Sequence, residues 1–136
     1  MEITVISHSV SYYTTRRLIE AASAQGHRVS TLDPVTCALS VGSDGVEIYS
    51  DGIQVPCPEV VIPRIGATLT DWSLRLLDGL VSMGATSVLT PQAIRTCCDK
   101  METHRRLVQA GIPTVPSTLI REISHIDWSL QKVGNL

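Results

Sequence analysis

The sequence predicts an α/β protein with a mostly parallel sheet flanked by helices, and three observations carry that prediction. Residues 3–32 read as strand, helix, strand over roughly 30 residues, the size of a crossover unit. Val60-Val61-Ile62 is an unbroken β-branched run of the kind buried on both faces of a parallel sheet. After Gly66 a helical pattern follows, so the strand-helix alternation resumes further along the chain.

In chain order, Ile3 to Ile6 is the first strand and Ser7-His8-Ser9 a polar turn. Leu18, Ile19 and Ala22 then recur at helical spacing until Gly26 closes the helix. Val29 to Leu32 is the second strand, stopped by Asp33-Pro34. Between Val46 and Val55 the pattern changes: Asp51-Gly52 is a hairpin signal whose two-residue loop sets Ile48 opposite Val55 and Tyr49 opposite Gln54. This hairpin is an insertion in the crossover pattern. The strand from Val60 ends at Pro63, which has no N–H to donate. Leu69, Trp72, Leu76, Leu77, Leu80 and Val81 then follow a helical rhythm that ends at Gly84.

Ser87 to Leu89 is a short strand, and Thr90-Pro91 starts a short helix through Ile94. Asp99, with Glu102 three residues on, forms a capping box for the next helix. Its buried stripe is Met101, Leu107 and Val108, and Gly111 and Pro113 stop it. Thr114 to Ile120 reads as extended, and Ile126 to Val133 as a weakly patterned last helix.

At 136 residues the chain is long enough to bury a core without staples. A net charge of −2 and scattered basic residues suggest neither nucleic acid nor an acidic membrane surface as a partner. Cys37, Cys57, Cys97 and Cys98 form no C-x-x-C pair and have no histidine at zinc spacing, so no metal site is read. Adjacent Cys97 and Cys98 fit reduced thiols on a helix, and the first residues carry no secretion signal. A cytoplasmic protein is expected.

The predicted sheet gathers Ser7 to Ser9, Asp33, Arg64 to Gly66 and Thr90 at its carboxyl edge, where open parallel sheets bind ligands. Two readings of Arg64 stand side by side: it holds an anionic group such as a carboxylate or phosphate, or it pairs with an acid at the strand end. Lys100 has a similar choice. It stands in a first helical turn, where the macrodipole disfavours a cation, flanked by Asp99 and Glu102. Either those acids offset it, or lysine and helix start together receive a phosphate.

His8 reads as a turn residue with no acid nearby in sequence, and no Ser/His/Asp or Cys/His arrangement emerges. There is no G-x-G-x-x-G after the first strand, no G-x-x-x-x-G-K-[ST], and no glycine-rich phosphate loop. A self-sufficient nucleotide enzyme is not expected.

Four segments, with the hairpin between the second and third, together resemble the N-terminal part of a RimK-type ATP-grasp ligase. They are EITVIS, GHRVSTLDPVTC from Gly26, VVIPRIG from Val60, and DKMETHRRLVQAGIPTVPST from Asp99. The resemblance implies a Rossmann-like pre-ATP-grasp domain over residues 1–118, then a connecting segment, 119–136, towards an ATP-grasp domain. It implies a ligase in which ATP, with magnesium, phosphorylates a carboxylate and an amine attacks the acyl phosphate. The acceptor would be a protein C-terminus or a small carboxylate substrate, and a homo-oligomer using the Leu69–Met83 helix would be in keeping.

In that frame Lys100 matches the lysine that approaches the ATP phosphates. Arg64 and Gly66 would border the acceptor or amino-acid site. The sequence stops about where the family places its next ATP-contacting lysine, so a fragment inactive by itself is expected, with no ATP or magnesium held tightly. The alternative, from another class, is a free-standing α/β module that works by association.

Overall fold

The computed structural model describes residues 1–66 and 70–134. They fall into two compact units, Met1–Pro91 and Gln92–Leu136. The first unit is built on four parallel strands. These are β1 (Glu2–Ile6), β2 (Arg28–Leu32), β6 (Val60–Pro63) and β7 (Thr86–Ser87), in the order β2-β1-β6-β7. The predicted α/β layer is therefore present, together with the inserted hairpin.

Chain order reverses between β1 and β6, because β1 leads outward to β2 on one side and β6 leads to β7 on the other. Such a switch point opens a crevice beyond the carboxyl ends of the two strands. Pro63 fits there: the Arg64 N–H donates to the Ile6 carbonyl at 2.9 Å, so by alternation the Pro63 nitrogen faces the β7 side, where β7 has already ended.

Helix α1 (Tyr13–Ala24) runs between β1 and β2, and its Thr15 hydroxyl is 2.8 Å from the buried Ser7 hydroxyl. Gly26, at φ 78°, takes the left-handed conformation that turns the chain into β2. A 3-10 turn over Pro34–Thr36 follows, capped by the Asp33 carboxylate.

The insertion is larger than the sequence suggested. Strand β3 (Cys37–Gly42) precedes β4 (Gly45–Ser50) and β5 (Ile53–Gln54) in an antiparallel sheet. The expected register holds, with Tyr49 opposite Gln54 and the Val55 N–H donating to the Ile48 carbonyl at 2.8 Å. Asp51 and Gly52 both have positive φ, 50° and 78°, as a type I′ turn requires.

Helix α2 (Thr70–Ser82) packs on β6, β7 and β4, so the hairpin sheet covers it from a second side. Its buried residues are accordingly Ser73, Leu74, Leu76, Leu77, Gly79 and Leu80, wider than the single stripe the spacing predicted. Val81, placed in that stripe, is 40% exposed, and Leu69 lies outside the described residues. β1 is buried from Ile3 to Ile6, with Val5 and Ile6 0% exposed. β6 is only partly covered, since Val61 is fully buried while Val60, Ile62 and Pro63 are half-buried, which corrects the expectation of a strand buried on both faces.

The second unit holds α3 from Gln92 onward (Pro91–Cys98), α4 (Lys100–Gln109) and α5 (Ile126–Val133). α3 runs past Ile94 to the two free cysteines Cys97 and Cys98. The expected buried stripe of α4 is not there: Met101 and Leu107 are half-buried and Val108 is 63% exposed. No described helix is long and apolar enough to cross a membrane.

Candidate functional site

A cavity of ≈ 130 Å³ opens at the carboxyl edge of the parallel sheet, at the switch point between β1 and β6. Arg64, Ile65 and Gly66 line it from the loop after β6, and His8 and Tyr12 from the loop after β1. Pro34 closes it from the turn after β2, and Ser73 from α2. Each of the first three loops begins where a strand stops, so the sheet itself brings them together. α2 is drawn to the same place by Trp72, whose indole N–H donates to the Pro34 carbonyl at 2.7 Å.

Two sequence-predicted residues, Arg64 and Gly66, thus meet in one cavity. Arg64 is exposed and makes no ion pair or side-chain hydrogen bond among the described residues, so the acid-paired reading of this arginine has no partner in the structure. A Cβ placed on Gly66 would meet nothing within 4 Å. Thr90 does not line this cavity.

The edge carries more than the sequence disclosed. His8 has an acid after all: its Nδ1 lies 3.0 Å from Asp33 Oδ1, supplied by the end of the neighbouring strand 25 residues on. That oxygen also accepts the Val35 N–H at 3.0 Å, which fixes the carboxylate. The Tyr12 ring stands beside His8, with centroids 6.5 Å apart. Ser73 is 1% exposed, and its hydroxyl is the buried side-chain polar atom left without a partner among the described residues. The missed signal was its spacing, three and four residues before Leu76 and Leu77, which puts a hydroxyl on a buried helical face.

Lys100 belongs to the second unit and occupies the first turn of α4. Asp99 caps that helix by accepting the Glu102 N–H at 3.0 Å, half of the expected box. Glu102 does not return the bond. Its carboxylate is taken by Arg105 at 2.7 Å and Arg106 at 2.8 Å, whose guanidiniums hold its carboxyl down to about 2. Both acids flanking Lys100 are therefore engaged elsewhere, and the ammonium makes no ion pair among the described residues. Also among the described residues, no three His, Cys, Asp or Glu side chains gather as metal ligands.

Residues 1–94 match the family described as the RimK PreATP-grasp domain. Over 112 residues the chain is 38% identical to a probable alpha-L-glutamate ligase of Stenotrophomonas maltophilia (strain K279a), covering 82% of this chain and 38% of that protein. A probable alpha-L-glutamate ligase of Xanthomonas campestris pv. campestris (strain 8004) is 37% identical over the same span and with the same shares. The chain thus spans 38% of the length of these relatives.

Among solved structures, a RimK domain protein ATP-grasp from Sphaerobacter thermophilus DSM 20745 superposes with a TM-score of 0.70 at 24% identity, over 98% of this chain and 47% of that one. The ATP-grasp ligase PsnB, complexed with precursor peptide PsnA2 and AMPPNP, gives 0.66 at 22% identity, over 97% and 51%. At such identities these two likenesses speak to the fold.

Proposed function

Because the chain belongs to the RimK PreATP-grasp domain family, we propose that it is the N-terminal, substrate-side domain of an ATP-dependent carboxylate-amine ligase. The reaction would join glutamate or a similar amino acid to a protein C-terminus or small acceptor through an acyl phosphate. The observation that carries this reading is Arg64, without an ion pair among the described residues, in a cavity at the sheet's switch point. With no acidic partner among the described residues, its guanidinium is available to a substrate carboxylate, with geometry suited to two parallel hydrogen bonds.

Lys100 is assigned to the ATP phosphates. Its ammonium, at the positive end of α4 and with its neighbouring acids occupied, has the charge such a contact needs. ATP would bring the phosphoryl group that activates the carboxylate. Magnesium would be held by residues other than those described, since these offer no acid cluster for it, and no step is assigned to the metal on this chain. Residues 1–118 form the substrate-side domain in this reading, and 119–136 lead towards the ATP-grasp domain. Leu119 at 76% exposure and Ile123 at 83% are apolar side chains such a partner domain would cover.

The test is made on a complete ligase that carries this domain. Arg64→Ala should raise KM for the carboxylate substrate about tenfold or more, and Lys100→Ala should lower kcat/KM for ATP by a similar factor, the loss expected of one charge-assisted hydrogen bond. Unchanged kinetics in both variants would remove the assignment.

A further inference from the structure

The Ser73 hydroxyl sits on the buried face of α2 and has no partner among the described residues. Buried polar atoms are rarely left so, and an orphan bordering a cavity marks a place where something else supplies the partner. We propose that Ser73 and Arg64 together hold a single carboxylate group in this cavity, Ser73 donating its O–H to one oxygen while the guanidinium takes the other. Ser73 is then the residue that decides which anion the edge accepts, and this deepens the ligase reading, on which it rests for treating the carboxylate as a substrate's.

The chemistry favours a carboxylate over a phosphate. One cation and one neutral donor match a singly charged group with two acceptor oxygens. The Asp33 carboxylate, held beside the cavity through His8, adds negative charge that opposes a dianion. Size agrees: ≈ 130 Å³ is room for about four waters at ~30 Å³ each, enough for a carboxylate and its first carbons.

The 136-residue chain can be titrated with L-glutamate, with glutaramide as the uncharged control and inorganic phosphate as the rival anion, read by amide NMR shifts and melting temperature. L-glutamate should shift the Ile65, Gly66 and Ser73 amides, glutaramide should not, and phosphate should bind more weakly. Ser73→Ala should weaken glutamate about fivefold or more, Arg64→Gln about tenfold, and Ser73→Thr should retain binding.

Removing an orphan hydroxyl should also raise the melting temperature of the ligand-free Ser73→Ala chain while reducing the glutamate-induced rise, a pair of effects a structural serine would not give. Unchanged affinity in Ser73→Ala, tighter phosphate binding, or no shift at Ser73 with any anion, as a trapped water alone would give, overturns the proposal. No ATP or turnover enters this readout. Ser73-dependent binding beside unchanged turnover in the Arg64 and Lys100 variants would sink the ligase assignment alone, and the opposite pair of results would sink only the carboxylate site.

Discussion

Cys37 stands apart from the other three cysteines. It is half-buried at the start of β3 and its thiol donates to the Asp33 carbonyl at 3.1 Å, whereas Cys57, Cys97 and Cys98 are exposed. Burial pushes its thiol up, the Ser50 hydrogen bond pulls it partly back, and the Asp33 and Asp51 carboxylates push it up again. Since the thiolate is the nucleophile, Cys37 should be the slowest of the four to alkylate at neutral pH, by about tenfold, and should speed up as pH rises. Peptide mapping after brief maleimide treatment reads this, and equal labelling of all four would refute it. The same residue scale shows what a sequence discloses. Arg64 was legible because Pro63 fixes where the strand stops. Ser73 was not, because an orphan hydroxyl is defined by acceptors that are absent in space, and spacing reports only the face it shares.

Among the elements, α2 explains most of what the periodicity missed. A stripe at i, i+3, i+4 describes a helix packed on one side, but α2 lies against β6 and β7 and also against β4, so residues off the stripe such as Leu74 and Gly79 are buried too. Strand β3 was legible and went unread: Cys37, Leu39 and Val41 alternate with small residues at period two, although only Cys37 and Leu39 are half-buried and the rest is exposed. The turn at Asp51-Gly52 was legible because its chemistry is local. Close packing of the hairpin on α2 makes Gly79 a sensitive position. A Cβ there would lie 2.8 Å from Leu39 Cδ1, 3.2 Å from Ile48 Cδ1 and 3.4 Å from Val46 Cγ1. All three are side-chain ends that can give a little, and alanine gains about 1 kcal/mol of helix propensity over glycine, so Gly79→Ala should fall within about 1 kcal/mol of neutral. Gly79→Val adds two methyls in the same space and should destabilise by about 2 kcal/mol. Denaturant midpoints decide it, and a fully tolerated valine would mean that the hairpin does not sit tightly on α2.

At the scale of the whole molecule, the two units differ in what holds them. Every buried hydrophobic side chain, from Ile3 through Ala85, lies in Met1–Pro91, and no described residue from Gln92 onward is buried. The sequence did not reveal this, since Met101, Leu107 and Val108 have the spacing of a buried stripe whether or not anything covers them. Helices of 8, 10 and 8 residues, as α3, α4 and α5 are, are below the ~12–15 residues at which an isolated helix becomes marginal in water. Local capping by Asp99 and the Glu102 pairs with Arg105 and Arg106 help α4, but exposed pairs of this kind are screened by solvent and add little. The leucines of α2 and the β1 side chains, at about 1.5–3 kcal/mol per fully buried residue, supply the cooperative core instead. A chain ending at Pro91 should therefore unfold in one cooperative transition with a midpoint within a few degrees of the 136-residue chain. Residues 92–136 alone should give weak helical circular dichroism and a broad, sloping melt. Loss of the cooperative transition on truncation at Pro91 would show that the second unit supplies core the burial pattern does not credit to it.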